Sequence, residues 1–257
     1  MKIVKLLKNI KNKIKTSPPA LKRFIPTEKV FHGNTLFIHD IASFELCNYE
    51  LFVQHMYKFV AKTQEPFIID CGANLGMSII YFKELYPLSK IIAFEADDYI
   101  FSFLEKNIKS YNLTDVELIN KAVWNKNDTL SFIVEGGAGG RLEETDTQNG
   151  TYKEVHCVSI KEYLTVQKVD FLKIDIEGAE YEVIKDCEDV LHNVENIFIE
   201  YHSMPQKNQN LHKILEIVQK AGFKYHIKEA FTSEYPFMER KLNFGMELQL
   251  NIFCYKD

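Results

Sequence analysis

The chain has 257 residues, 46% hydrophobic and 26% charged, enough to bury a core without disulfide staples or a structural metal, which excludes the small secreted scaffolds. No run approaches the roughly 18 consecutive apolar residues of a membrane-spanning helix, so the protein is not expected to span a membrane. The net charge of −5 is uneven: residues 1–23 hold eight basic residues and no acid, leaving −13 on an acidic body that argues against a broad nucleic-acid surface.

Residues 1–15 predict a short helix with Ile3, Leu6, Leu7, Ile10 and Ile14 on one side and lysines on the other, without the apolar core or cleavage site of a signal peptide. Pro18-Pro19 stops it. Gly33-Asn34 predicts a hairpin joining Lys29–His32 to Thr35–His39. Phe44, Cys47, Leu51 and Phe52 then recur at helical spacing in a helix expected over Ser43–Lys62, with Ser43 as its cap. Together these make an N-terminal helical cap over residues 1–64.

From Glu65 to the end, residues 65–257 alternate short apolar runs with helical segments. Strands are expected at Phe67–Asp70, Lys90–Glu95, Val116–Asn120, Val169–Asp175, Asn196–His202 and Phe223–Ile227. Helices are expected at Met77–Tyr86, Tyr99–Tyr111, Ala179–Val190 and Asn210–Ala221, and Met246–Tyr255 alternates as an antiparallel edge strand would. The fold class is therefore α/β, a doubly wound, mostly parallel seven-stranded sheet of Rossmann-like type. An insertion holds strands near Thr129–Val134 and Glu154–Ser159 around a glycine loop at 136–140 and a polar run to Gly150, segments suited to flanking a pocket with Arg141 facing a substrate. The five cysteines are odd in number and form no C-x-x-C pair, as expected of reduced thiols in a cytosolic protein.

In an open parallel sheet the ligand sits beyond the carboxyl ends of the strands. The first strand ends in Asp70-Cys71-Gly72-Ala73-Asn74-Leu75-Gly76, a G-x-x-x-G loop with Asn74 where a dinucleotide fingerprint has its second glycine. That loop favours a ligand without phosphates, and a carboxylate at Asp70 would repel a pyrophosphate but attract an ammonium or sulfonium. S-adenosylmethionine carries both cations and no phosphate. Glu95 closes the second strand, where a carboxylate accepts ribose hydroxyls. A nicotinamide oxidoreductase would need the G-x-G-x-x-G loop that is missing here.

Two clusters suit proton transfer from an acceptor hydroxyl. Asp175-Ile176-Glu177 follows the fourth strand, and both carboxylates aim the same way if the strand continues through them. Glu200 and His202 are related in the same manner on the fifth. Glu177 and Glu180 also read as favourable charge at the start of a helix. Asp175, Glu200 and His202 form a set able to ligate a divalent cation such as Mg or Mn, a second reading of the same residues.

The run Ile69–Gly76, then Ala93-Phe94-Glu95-Ala96, then Asn120-Lys121-Ala122-Val123-Trp124, and above all Val169–Glu180, resemble the FkbM-type methyltransferases of the class I S-adenosylmethionine-dependent fold over about residues 45–227. Ala96 stands where that family usually has proline. The resemblance implies a cofactor site built from Asp70, Gly72, Ala73, Asn74, Gly76, Glu95, Ala96 and Asp175, with Ala122 and Val123 against the adenine. The two clusters assign the catalytic roles to Asp175, Glu177 and His202, and the resemblance implies O-methylation of a hydroxyl on a sugar, glycan or related metabolite. A methyltransferase-like scaffold that binds without turnover is the non-enzymatic alternative. For residues 1–15 two readings stay open: contact with an anionic membrane at its inner, cytoplasmic face, or packing on the body or on a second copy in a homo-oligomer.

Overall fold

The computed structural model describes residues 23–133, 141–143, 152–205 and 207–256. The helix expected over 1–15 and the loops at 136–140 and 144–150 lie outside them. In chain order the elements are β1 (Thr27–Phe31), β2 (Asn34–Ile38), α1 (Ile41–Asn48), β3 (Phe67–Cys71), α2 (Met77–Leu85), β4 (Lys90–Phe94), α3 (Asp98–Ser110) and β5 (Val116–Ile119). There follow β6 (Ala122–Trp124), β7 (Asp128–Ile133), β8 (Arg141–Glu143), β9 (Tyr152–Ser159), α4 (Lys161–Val166), β10 (Val169–Ile174), α5 (Glu180–Asp186), β11 (Val194–Ser203), α6 (Leu211–Lys220), β12 (Lys224–Phe231) and β13 (Leu248–Tyr255).

The hairpin turns on His32-Gly33, one residue earlier than Gly33-Asn34. Both turn residues have positive φ (48° and 86°), as a two-residue I′ turn requires, while Asn34 already pairs with Phe31. Asp40, not Ser43, caps α1, accepting from the Ser43 amide at 3.3 Å and the Ser43 hydroxyl at 2.7 Å. The helix also stops well short of Lys62. A π-helical turn (Tyr49–Val53) follows it, His55 at φ 54° ends the winding, and Tyr57 and Phe59 then pack irregularly against Phe82, Phe171 and Phe198.

The main sheet runs β12-β13-β11-β10-β3-β4-β5, with β3, β4, β5, β10 and β11 parallel. β13 is not the edge strand its alternation suggested: it lies antiparallel between β11 and β12, and β12, exposed along most of its length, takes the edge. The insertion joins β6 in a second sheet, order β6-β9-β7-β8. Successive β3 side chains point to opposite faces, so Ile68 enters one core and Ile69 the other. Leu36, Ile38 and Phe44 share the Ile68 core with Ile79 and Phe82, which makes the hairpin and α1 continuous with the body. All five cysteines are free thiols. Among the described residues no helix is long and apolar enough to cross a membrane.

Strand order reverses between β3 and β10. Their carboxyl ends therefore open a crevice, and the chemistry-bearing residues converge there.

Candidate active site

The loop leaving β3 is held by its neighbours. The Gly72 and Ala73 amides donate to the Phe94 carbonyl (3.0 and 2.8 Å), and Asn107, buried in α3, donates to the carbonyls of Leu75 and Phe37, tying the loop to the hairpin. Gly72 has φ 90°, and a Cβ there would lie 1.9 Å from the Asp175 carbonyl oxygen, so only glycine lets β3 and β10 close together. Gly72→Ala is expected to cost at least the ~1–3 kcal/mol of a strained backbone and to remove cofactor binding, read by thermal denaturation and calorimetry. Gly76, at φ 91°, faces the core instead of the cavity; a Cβ would meet Leu104 at 2.8 Å, so its part is close helix packing.

Asp70 also departs from expectation. It is 0% exposed and lies beneath the loop, accepting from the Ser78 hydroxyl and pairing with Lys173 at 3.2 Å, so it is not a free carboxylate offered to a cation. Lys173 sits opposite it in the β3–β10 register, donates to the Gly72 carbonyl at 2.7 Å and lies 3.3 Å from Asp175. Burial opposes the Lys173 charge, but Asp70 and Asp175 outweigh it and raise its pKa. This lysine, absent from the sequence-based site, locks the switch point.

A cavity of about 510 Å³ spans the crevice. At one end it is lined by Gly72, Ala73 and Asn74, by Glu95 and Ala96 after β4, and by Ala122 and Val123 on β6. The Glu95 carboxylate accepts from the Asn74 and Asp97 amides, each at 2.9 Å, and burial pushes its pKa up to about 7.

The other end gathers Asp175, Glu177, Glu200 and His202, joined by Glu50 from the π-helical turn. β10 ends at Ile174, and Glu177 (φ 56°) and Gly178 (φ 95°) turn the chain; the strand does not continue through Asp175-Ile176-Glu177, yet both carboxylates line the cavity. Glu200 and His202 lie on β11 itself. His202 is 5% exposed: its Nδ1 donates to Glu180 at 2.8 Å, and its Nε2 lies 3.7 Å from Glu177 and 3.8 Å from Glu200. Burial lowers the His202 pKa, but Glu177, Glu180 and Glu200 overcome it and raise it well above the usual imidazole range. Burial and Asp175 push Glu200 up to about 8, and the same two causes push Glu50 up to about 7.

Glu180 is thus more than charge in the first turn of a helix. It is buried, accepts from the Gly178 amide at 2.8 Å and fixes the orientation of His202. Ligand atoms of Asp175, Glu200 and His202 lie within 4.8 Å of one another, a donor set of the right type for a hard divalent ion, although Nε2 must shed its proton to join it.

Arg141 lies on β8. Residues 70–225, more than half the chain, match the Methyltransferase FkbM domain family. The chain is 26% identical over 168 residues to Methyltransferase 1 of Beauveria bassiana (strain ARSEF 2860), covering 56% of this chain and 68% of that protein. It is 28% identical over 174 residues to Methyltransferase sdnD of Sordaria araneosa, covering 54% and 67%. The crystal structure of Methyltransferase FkbM from Methylobacillus flagellatus KT shares the fold with a TM-score of 0.50 at 13% identity, over 77% of this chain and 45% of that one. This chain belongs to the FkbM-domain family of methyltransferases.

Proposed function

We propose that the protein is an S-adenosylmethionine-dependent O-methyltransferase whose acceptor is a hydroxyl of a sugar, glycan or related metabolite. The observation that carries this reading is one continuous cavity with a backbone loop and the Glu95 carboxylate at one end and an imidazole among carboxylates at the other. Its volume lies within the range of ordinary small-molecule sites. When bound, S-adenosylmethionine supplies a methyl group on a sulfonium carbon open to attack by an oxygen.

The chain's own residues divide the remaining work. Glu95 accepts from ribose hydroxyls with the oxygen lone pairs its two amide bonds leave over. Ala122 and Val123 give an apolar wall to a base, and Gly72 to Asn74 offer backbone to the rest of the ligand. Glu180 holds the Nδ1–H of His202, leaving Nε2 to take the proton that the acceptor hydroxyl loses as its oxygen gains the methyl group. Positive charge brought into the cavity offsets the surrounding carboxylates and returns His202 towards the neutral form a base requires. Asp175, Glu177, Glu50 and Glu200 are then placed to orient the acceptor's hydroxyls. Activity that survives exhaustive chelation supports this metal-free version, whereas loss restored by Mg or Mn assigns Asp175, Glu200 and His202 to an ion.

The cofactor half is tested by binding. Glu95→Gln is expected to weaken S-adenosylhomocysteine by ~1.5–3 kcal/mol, the worth of hydrogen bonds to a charged acceptor. Because the Glu95 pKa rises to about 7 in the folded protein, affinity increases as pH rises towards 7 and then levels, with proton release on binding below it. The linkage has the opposite sign for the ligand-free fold: the contribution of Glu95 to stability is present below its unfolded value and lost as pH climbs through about 7. Calorimetry in buffers of different ionisation heat reads both, and tighter binding of NAD would overturn the assignment.

A further inference from the structure

The rim of the cavity carries apolar side chains that the fold leaves uncovered. Phe24, Leu46 and Phe244 line the cavity and are exposed to solvent. The segment between β12 and β13 that supplies Phe244 also presents Leu242, Met238 at 87% exposure and Phe237 at 103%. Its turn is built, not loose: the Met238 and Glu239 amides bond the Tyr235 carbonyl, and the Ser233 hydroxyl bridges to Lys241. It thus holds Phe237 and Met238 clear of the body.

Arg23 ties the chain's basic segment to the same rim. Its guanidinium is gripped by Asp40 and lies 4.8 Å from the Phe24 ring centroid and 5.3 Å from that of Phe244. Residues 2–22, with seven lysines and no acid, therefore join the body beside the exposed aromatics. Within the turn segment Arg240 and Lys241 are matched by Glu234 and Glu239, so net attraction to an anion comes from residues 2–22.

We infer that this rim docks on an anionic lipid bilayer and that the acceptor hydroxyl belongs to an amphiphile in that leaflet. An aromatic and a methionine standing free on a firm turn fit insertion between fluid acyl chains, and the lysines of residues 2–22, joined to the body at Arg23, supply attraction to anionic headgroups. A protein partner of fixed shape would favour a flatter, half-buried apolar centre. The inference rests on the O-methyltransferase reading only in taking the acceptor into this cavity.

The test is sedimentation of the full chain with phosphatidylcholine vesicles, with and without about one-third phosphatidylserine, at low and high salt. The parent protein sediments with the anionic vesicles at low salt and is released at high salt. Phe237→Ser with Met238→Ser lowers partitioning at least about tenfold, and Lys8→Glu with Lys11→Glu and Lys15→Glu does so as well. Both variants keep the parent's affinity for S-adenosylhomocysteine. Absence of sedimentation by the parent overturns the inference, as does sedimentation unchanged by either set of substitutions. A vesicle-free dimer dissolved by the Phe237 and Met238 changes overturns it in favour of an interface between copies. Cofactor affinity is measured separately on the same preparations, so loss of the enzyme reading and loss of the membrane reading are distinguishable.

Discussion

His202→Asn lowers the rate of methyl transfer by about 10²–10⁴-fold while S-adenosylhomocysteine affinity stays unchanged, because proton acceptance contributes to the chemical step and not to ligand binding. The imidazole is set by Glu180 at 2.8 Å, which makes Glu180 a positioning residue. Glu180→Ala reduces kcat with little change in KM and shifts the acidic limb of the pH profile, since one of the carboxylates that raise the His202 pKa is gone. Glu180→Gln, which still accepts from Nδ1, restores part of kcat. A Glu180→Ala variant whose KM rises instead while kcat holds would place His202 in binding alone.

Lys173→Met is expected to destabilise the protein by about 3–5 kcal/mol, the cost of breaking a buried ion pair from one side. Asp70 is fully buried and Lys173 is its only cation among the described residues; Asp175 loses the same partner. The change also withdraws the donor to the Gly72 carbonyl. Asp70→Asn combined with Lys173→Met recovers part of the loss, because the uncompensated charge is then removed. Chemical denaturation of the two single variants and the double variant checks this by a coupling energy; strict additivity would contradict it.

The seven strands of the main sheet and helices α2, α3, α5 and α6 were legible because buried parallel strands are short, apolar and punctuated, whereas the six-residue α4 (Lys161–Val166) was not expected. Neighbours were not. Alternation in residues 246–255 reports half-burial, which an edge strand and an antiparallel strand inserted beside β11 share. Apolar spacing after Phe44 likewise reads as helix whether the chain continues winding or passes through a π turn into irregular aromatic packing.

The site shows the same division. Gly72, Asn74, Glu95, Asp175, Glu177, Glu200 and His202 line one cavity because each sits at or just past a strand's carboxyl end, a position the sequence marks. Asp70 was misplaced because its direction depends on strand register, which also sets Lys173 opposite it. Glu180 carries a signal that a helix N-terminus explains equally well, and its burial against His202 arises from α5 packing on β11. Glu50 had no motif to announce it; the α1 and π-turn segment brings it to the cavity from outside the family match.

The central claim is that one cavity binds the cofactor through Glu95 and performs proton transfer through His202. Its most direct test is calorimetric titration of S-adenosylhomocysteine into the parent, Glu95→Gln and His202→Asn proteins. Binding to the parent, weakened by Glu95→Gln and unaltered by His202→Asn, is the predicted result. No binding to the parent, or an affinity indifferent to Glu95 and dependent on His202, would contradict it.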